Sequence, residues 1–531
     1  MTNLLERRRT EMFLLVSAVT SLIASCFLWS ARKQAWMDEV FTWKEASDHS
    51  LLHLYSAIQH GADGGQPLFY TTVWLWAKLF GTTVLSFRLY SCAAVCAALL
   101  VTWKALRRYY GMWATAFGVL LIWGTSGTLL DQNAEGRFYG LYLLTVAISV
   151  EMYACLVSCE EPGRWPLFLA FCSQAALVLT HVLGLIYGGL ILLALMLADA
   201  GMRRFRFKVY AAWASGWLAL LVWIPAIRAS MAAGKPHGWI PLPRLQTVLT
   251  SYLFDTWLEW LVWLQRHAGD GAFTVGRAVT GLFLVVPLLA VFWMAIKGRR
   301  SPLLLPAAAL LAAPILLYLL SHLLTPVFVP RYVLPSAIGM AIVLAAFADW
   351  VGANRRIWMP VTALLILSPV CSALLVRAPQ VNGQYIDVSR IDSLAPPNTP
   401  LVTGWQNDFA MMMRFSRAPQ GRFYLLDWPT ALVGEKGMGL DYHLMSAYRR
   451  AGYYPGNIQD QDAFLCAHTD FLVLDPHFVK SDALEPGWFE LVIQNAPQFE
   501  WRVLGTVGSS EIQRKIVAVH RRAALPFCTA R

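Results

Sequence analysis

The chain has 531 residues, of which 57% are hydrophobic and 14% charged, and its mean hydropathy is +0.49. A soluble domain usually carries about 25% charged residues, so composition excludes that class and points to a membrane protein. The net charge of +11 does not indicate a nucleic-acid partner. Its basic residues lie in short clusters between apolar runs, the distribution of cytoplasmic anchors.

A spanning helix needs roughly 20 predominantly apolar residues. The N-terminus, Glu6-Arg7-Arg8-Arg9 followed by an apolar run to Ser30, resembles a signal peptide, but the many later apolar segments make it an uncleaved first span. Spans are expected near 11–31, 84–104, 112–130, 138–158, 165–182, 184–200, 208–228, 275–296, 302–324, 332–350 and 357–376. About eleven transmembrane helices with a cytoplasmic N-terminus put Arg7 to Arg9, Lys104 with Arg107 and Arg108, Arg203 to Lys208, Lys297 to Arg300, and Arg355 with Arg356 on the inside. This is the positive-inside pattern.

Pro67 to Phe80 is apolar but short and carries Lys78, and counting it as a span would reverse that pattern. It reads as an interfacial or re-entrant helix within the first external loop, 32–83. A second surface helix is expected over Leu245 to Leu264, with Asp255 and Glu259 four apart among Trp257, Trp260 and Trp263. The membrane domain is thus taken as 1–376. Residues 377–531 lack a span, and β-like runs at Leu401, Phe423, Phe471, Arg502 and Lys515 predict a soluble α/β domain on the external side. Seven of the nine cysteines lie in or beside apolar runs, where a thiol packs as a small hydrophobe. Cys466 and Cys528 fall in the polar tail, and their positions alone do not indicate a disulfide.

With this topology the unusual polar residues collect on the outer face. They are Asp38 and Glu39, Gln66 before Pro67-Leu-Phe-Tyr70, Arg88 at the head of the second span, Glu135-Gly-Arg137-Phe-Tyr139, His181, and Pro330-Arg331-Tyr332. A carboxylate serves as a general base, and a guanidinium fork matches phosphate oxygens. Acids on one side and arginines on the other suit transfer from a phosphate-linked donor, which at a membrane face is a lipid phosphate.

At these residues the sequence resembles the GT-C membrane glycosyltransferases, and within them glycosyltransferase family 39: protein O-mannosyltransferases, the lipid A aminoarabinose transferase and related bacterial enzymes. The resemblance covers about residues 1–350. It implies an inverting transfer of a sugar from a polyprenyl-phosphate carrier to an acceptor hydroxyl on the outer face, the acceptor being a lipid, glycan or protein. It further implies that Asp38 is the general base, that Glu39 orients the acceptor or its own loop, and that Arg88 meets the donor phosphate. Arg137 and Arg331 are then further phosphate or acceptor contacts. Gln66, Glu135, Tyr139, His181 and Tyr332 complete the candidate substrate-binding set. Two departures stand out: Gly65-Gln66-Pro67 replaces a His-Pro-Pro or Lys-Pro-Pro, and Leu89-Tyr90-Ser91 replaces Leu-Pro-Ser. The implied location is a bacterial inner or plasma membrane, with the C-terminal domain periplasmic or extracellular.

No cofactor is expected. His49 and His53, four apart with Asp48 and Asp63 nearby, share a helix face, but spacing fixes no third ligand, so no metal site is assigned. The absence of a Gly-rich nucleotide loop agrees with a lipid-linked donor. The rival readings are a transporter or channel, which predicts mid-span charges and inverted repeats, and a non-catalytic assembly component of the same fold.

Overall fold

The computed structural model describes residues 2–232, 240–246, 248, 258–297, 301–352, 355–377, 386–428, 438–478, 488–508 and 512–528. The chain divides into two compact units. One comprises Met1–Lys33, Gly65–Val222 and Ile240–Pro379; the other comprises Gln34–Gly64, Trp223–Trp239 and Gln380–Arg531. The expected boundary at 376/377 lies close to the break after Pro379. The stretch Gln34–Gly64, however, expected as part of the membrane domain, groups with the C-terminal residues.

The chain is an integral membrane protein. Among the described residues eight helices are long and apolar enough to cross a bilayer: Glu6–Ser30, Val84–Arg107, Tyr139–Val157, Gly184–Gly201, Phe207–Ala229, Trp260–Ile296, Leu304–Leu323 and Trp358–Arg377. Met112–Thr125 and Gly127–Asn133, bent by 72° at Ser126, add a ninth if taken as one broken span. Arg164–Thr180 and Ser336–Val351 occupy the two remaining predicted stretches but have 17 and 16 residues. At 1.5 Å per residue they reach roughly 25 Å, against about 30 Å of hydrocarbon. Length and composition therefore give eight or nine spans where eleven were expected.

Pro67–Phe80 forms a helix of 14 residues, started by Pro67 and stopped at Gly81, whose φ of 80° is open to glycine. Of the surface helix expected at 245–264, Asp255 and Trp257 lie outside the described residues. Glu259, Trp260 and Trp263 are helical, within Leu258–Ile296, which is broken at Gly269 with φ 82°.

The bundle is closed at the end bearing the basic clusters by ion pairs. Glu11 accepts from Arg107 (2.7 Å), Glu151 from Arg108 (2.5 Å) and Lys104 (3.1 Å), and Asp199 from Arg204 (2.7 Å) and Arg206 (2.8 Å). The clusters read from sequence as membrane anchors thus also neutralise acids carried on the spans. At the opposite end the Val84–Arg107 and Tyr139–Val157 helices cross closely. A Cβ on Gly140 would stand 2.7 Å from the Ser91 carbonyl oxygen, so glycine there sets the approach.

In the second unit a six-stranded sheet has the order β3-β2-β1-β4-β6-β5: β1 Leu401–Thr403, β2 Phe423–Asp427, β3 Ile458–Asp460, β4 Asp470–Phe478, β5 Phe499–Gly508 and β6 Ile512–Arg521. The first four pair in parallel, and β6 and β5 add antiparallel. All five predicted strands are present. β3, with Ile458 as its sole apolar residue, carried no strand pattern. One face buries Val402, Phe471, Val473, Val517 and Val519 against Phe464, Trp488 and Ile493. Cys466 and Cys528 form a disulfide; the other seven cysteines are free.

Asp475, in mid-β4, is 2% exposed, and its Oδ2 has no hydrogen-bond partner among the described residues. Burial, then Glu490, push its carboxyl up to about 7, against the pull of Lys515. The folded state therefore holds a proton that the unfolded chain releases near pH 4, so this group's contribution to stability falls as pH rises from about 4 to about 7 and is level above that. Asp475→Asn is expected to flatten that slope and to raise stability at pH 8 by on the order of 1–4 kcal/mol, read from thermal unfolding across a pH series.

Candidate functional site

The two units contribute separately to the predicted set. In the second unit, Met37–Ala46 is a helix whose first turn contains Asp38 and Glu39, where acids are favoured by the exposed N–H groups and the helix dipole. The Glu39 carboxylate reaches back to accept the Trp36 N–H at 2.8 Å, and the side chain is buried. Glu39 thereby fixes the start of the helix that presents Asp38. Asp38 is half-exposed, and its carbonyl accepts the Thr42 hydroxyl at 3.0 Å.

Residues far away in sequence hold this helix and the Leu51–Gln59 helix that follows. The Tyr448 hydroxyl donates to Glu45 (3.2 Å), the Tyr453 hydroxyl donates to Asp48 (2.8 Å), and Gln34 donates to the Ile386 carbonyl (2.8 Å). Lys44 lies over the rings of Tyr454 (4.4 Å) and Tyr453 (5.1 Å), and Arg414 over Trp43 (4.5 Å). Burial lowers the Lys44 amine, partly offset by Asp48. For Asp48, burial is outweighed by hydrogen bonds from Ser50, His53 and Tyr453, which hold its carboxyl below the usual range. Among the described residues one group could hold a metal ion: Asp48, His49 and His53. Asp63 does not belong to it.

In the membrane unit Arg88 is fully buried and donates to the Lys33 (2.9 Å) and Ser30 (3.3 Å) carbonyls. It thus satisfies backbone oxygens at the end of the first helix, which would otherwise lack partners. Lys33 in turn pairs with Glu135 at 3.1 Å, both nearly buried. Ser91 donates to the Arg137 carbonyl at 2.9 Å, tying the Glu135–Arg137 corner to the helix that carries Arg88.

An aromatic group continues from this corner. The Arg137 guanidinium lies over Phe138 (5.2 Å) and that of Arg331 over Tyr139 (5.5 Å). Phe138 and Tyr139 are 4.3 Å apart, and His181 stands 5.1 Å from Phe138, 4.8 Å from Tyr142 and 5.3 Å from Tyr332. Tyr187 donates to the Tyr332 carbonyl at 3.2 Å. His181 Nδ1 accepts the Leu183 N–H at 3.2 Å, so that nitrogen carries no proton. Phe69, one turn into the helix that Gln66 starts, packs on Phe138 at 5.6 Å.

The membrane unit therefore brings Arg88, Glu135, Arg137, Tyr139, His181, Arg331 and Tyr332 into one connected cluster, with buried Gln66 at its margin. Sequence reading missed Lys33, Phe138, Tyr142 and Tyr187. Lys33 had a signal, as a cation beyond the end of the first span opposite the basic clusters. The aromatic residues had none, because Tyr and Phe inside apolar runs read as ordinary packing. Lys33, Arg88, Arg137 and Arg331 gather here with Glu135 and a group of aromatic rings, a set of side chains that suits an anion with an apolar attachment.

No protein-family model and no curated protein sequence matches the chain. Two crystal structures of ArnT from Cupriavidus metallidurans are similar to it. The one bound to undecaprenyl phosphate shares 12% identity and a TM-score of 0.57, over 95% of this chain and 98% of that one. The apo state shares 12% identity and a TM-score of 0.55, over 96% and 98%. At this identity the likeness is one of fold: the chain has GT-C architecture along nearly its whole length.

Glu39→Ala is expected to lower stability by about 1 kcal/mol through loss of the helix-start contact, whereas Glu39→Gln, which keeps an acceptor oxygen there, retains most of it. Thermal unfolding of the two purified variants separates these outcomes.

Proposed function

We propose that this protein is an inverting glycosyltransferase that moves a sugar from a polyprenyl-phosphate carrier to an acceptor hydroxyl on the outer face of the membrane. The observation that carries the reading is the buried cationic and aromatic cluster of the membrane unit, in a fold that in ArnT holds undecaprenyl phosphate. A lipid-linked phosphate offers what the cluster complements: an anionic head for the arginines, whose charge grows as the sugar leaves, and an apolar chain that remains in the bilayer.

In this mechanism Asp38 accepts the acceptor's hydroxyl proton as its oxygen attacks the anomeric carbon. The bond from that carbon to the phosphate oxygen breaks on the opposite side, and the configuration inverts. Negative charge grows on the departing polyprenyl phosphate, where Arg88, Arg137 and Arg331 stabilise it more in the transition state than in the ground state. Glu39 keeps the Asp38 helix in place. His181, Tyr139, Tyr332, Gln66 and Glu135 shape and orient the donor end. The C-terminal disulfide supports an oxidising, extracytoplasmic compartment for that unit.

With membranes of matched expression and a panel of polyprenyl-phosphate sugars, Asp38→Asn is expected to cut transfer by about 10²–10⁴-fold, the range of a positioned general base. Wild-type turnover in that variant would remove Asp38 from the role. Arg137→Ala and Arg331→Ala are expected to weaken binding of polyprenyl phosphate itself, measured without any acceptor. A reporter fused after Arg531 is expected to be active outside the cytoplasm, and cytoplasmic activity would contradict the proposed orientation.

A further inference from the structure

The turn between the Met37–Ala46 and Leu51–Gln59 helices brings together three side chains of ligand type that spacing alone could not assemble. Asp48 is buried, with His53 Nδ1 2.5 Å from its Oδ2 and His49 Nδ1 3.2 Å from its Oδ1. Ligand atoms of the three residues all lie within 4.8 Å of one another, and the two imidazole rings stack at 5.4 Å and 28°. His49 lies in the turn before the Leu51–Gln59 helix and His53 in that helix's first turn, so the two do not share a helix face as expected; the buried carboxylate of Asp48 is the third ligand that the sequence left unassigned.

The surroundings are those of a prepared site. Asp48 is held by the Ser50 N–H (3.0 Å to Oδ1) and the Tyr453 hydroxyl (2.8 Å to Oδ2). His53 Nε2 stands 2.9 Å from the Ala451 carbonyl oxygen, to which it donates, so the ring is oriented with Nδ1 toward Asp48. Hydrogen bonds of this kind, from the far nitrogen of an imidazole to a carbonyl and onto the ligating carboxylate, fix the orientation of metal ligands and raise their basicity. The His49 side chain is 84% exposed, so the site is reachable from solvent.

We propose that Asp48, His49 and His53 bind one divalent transition-metal ion of the Zn²⁺ class. Two imidazole nitrogens and one carboxylate oxygen suit Zn²⁺, Ni²⁺ or Cu²⁺ over Mg²⁺ or Ca²⁺, which prefer all-oxygen shells. On binding, the metal replaces the proton between His53 Nδ1 and Asp48, and that proton passes to solvent. Nitrogen from His49 and a water complete a four-coordinate shell. The ion fastens the loop carrying Asp38 and Glu39 to Tyr453 and Ala451 of the same unit. The inference stands on this geometry and is independent of the transferase reading.

The test uses full-length, untagged protein stripped with a chelator and titrated with ZnCl₂ by calorimetry and thermal unfolding. One Zn²⁺ per chain is expected, with the unfolding midpoint raised by about 2–3 °C at a hundredfold excess over Kd. Mg²⁺ and Ca²⁺ are expected to give no shift. His49→Ala, a surface change that leaves the buried contacts intact, is expected to weaken Zn²⁺ binding at least tenfold, and His53→Ala to abolish it. His60→Ala, exposed at the end of the same helix, serves as the control. Unchanged stoichiometry and affinity in His49→Ala, or no binding by the wild-type chain, overturns the proposal.

Discussion

A charge drawn into hydrocarbon has no water to turn to, and the arrangement of this protein follows from how its charges avoid that position. The acids carried on the spans, Glu11, Glu151 and Asp199, sit at helix ends within reach of arginines and lysines. At the other end Arg88 gives its donors to the carbonyls that the first helix leaves open, and Lys33 and Glu135 neutralise each other. The bundle is thereby divided chemically. Its basic end is closed by three acids that take five basic partners, whereas its opposite end gathers arginines beside aromatic faces.

The same principle explains the aromatic cluster. Rings of Phe138, Tyr139, Tyr142 and Tyr332 around His181 give an apolar body with polar edges, and Phe138 and Tyr139 carry guanidinium groups on their faces.

Most of the membrane architecture was legible because hydrophobic length and basic clusters are local signals, and the short helix at Pro67–Phe80 was legible from its length and Lys78. The strand pattern of the C-terminal sheet was equally local, except at β3, where Ile458-Gln459-Asp460 has too little apolar character to register. Partnerships between distant residues were not legible. Nothing in Glu45 or Asp48 announces Tyr448 or Tyr453, some 400 residues later. Arg88 shows a related gap. Its type and position suggested an anion contact, and the structure adds that it holds the end of the first helix, a task that no residue pattern records.

The grouping of Gln34–Gly64 and Trp223–Trp239 with the C-terminal residues means that the chain passes between its two units five times. A domain joined by a single linker can be cut away, exchanged or fused elsewhere, and its partner folds regardless. Here, removal of the tail would strip Trp43 of the Arg414 guanidinium and Glu45 and Asp48 of the Tyr448 and Tyr453 hydroxyls, stranding apolar surface and two buried acids on the loop that carries Asp38. The C-terminal residues are therefore a structural obligation of the loop.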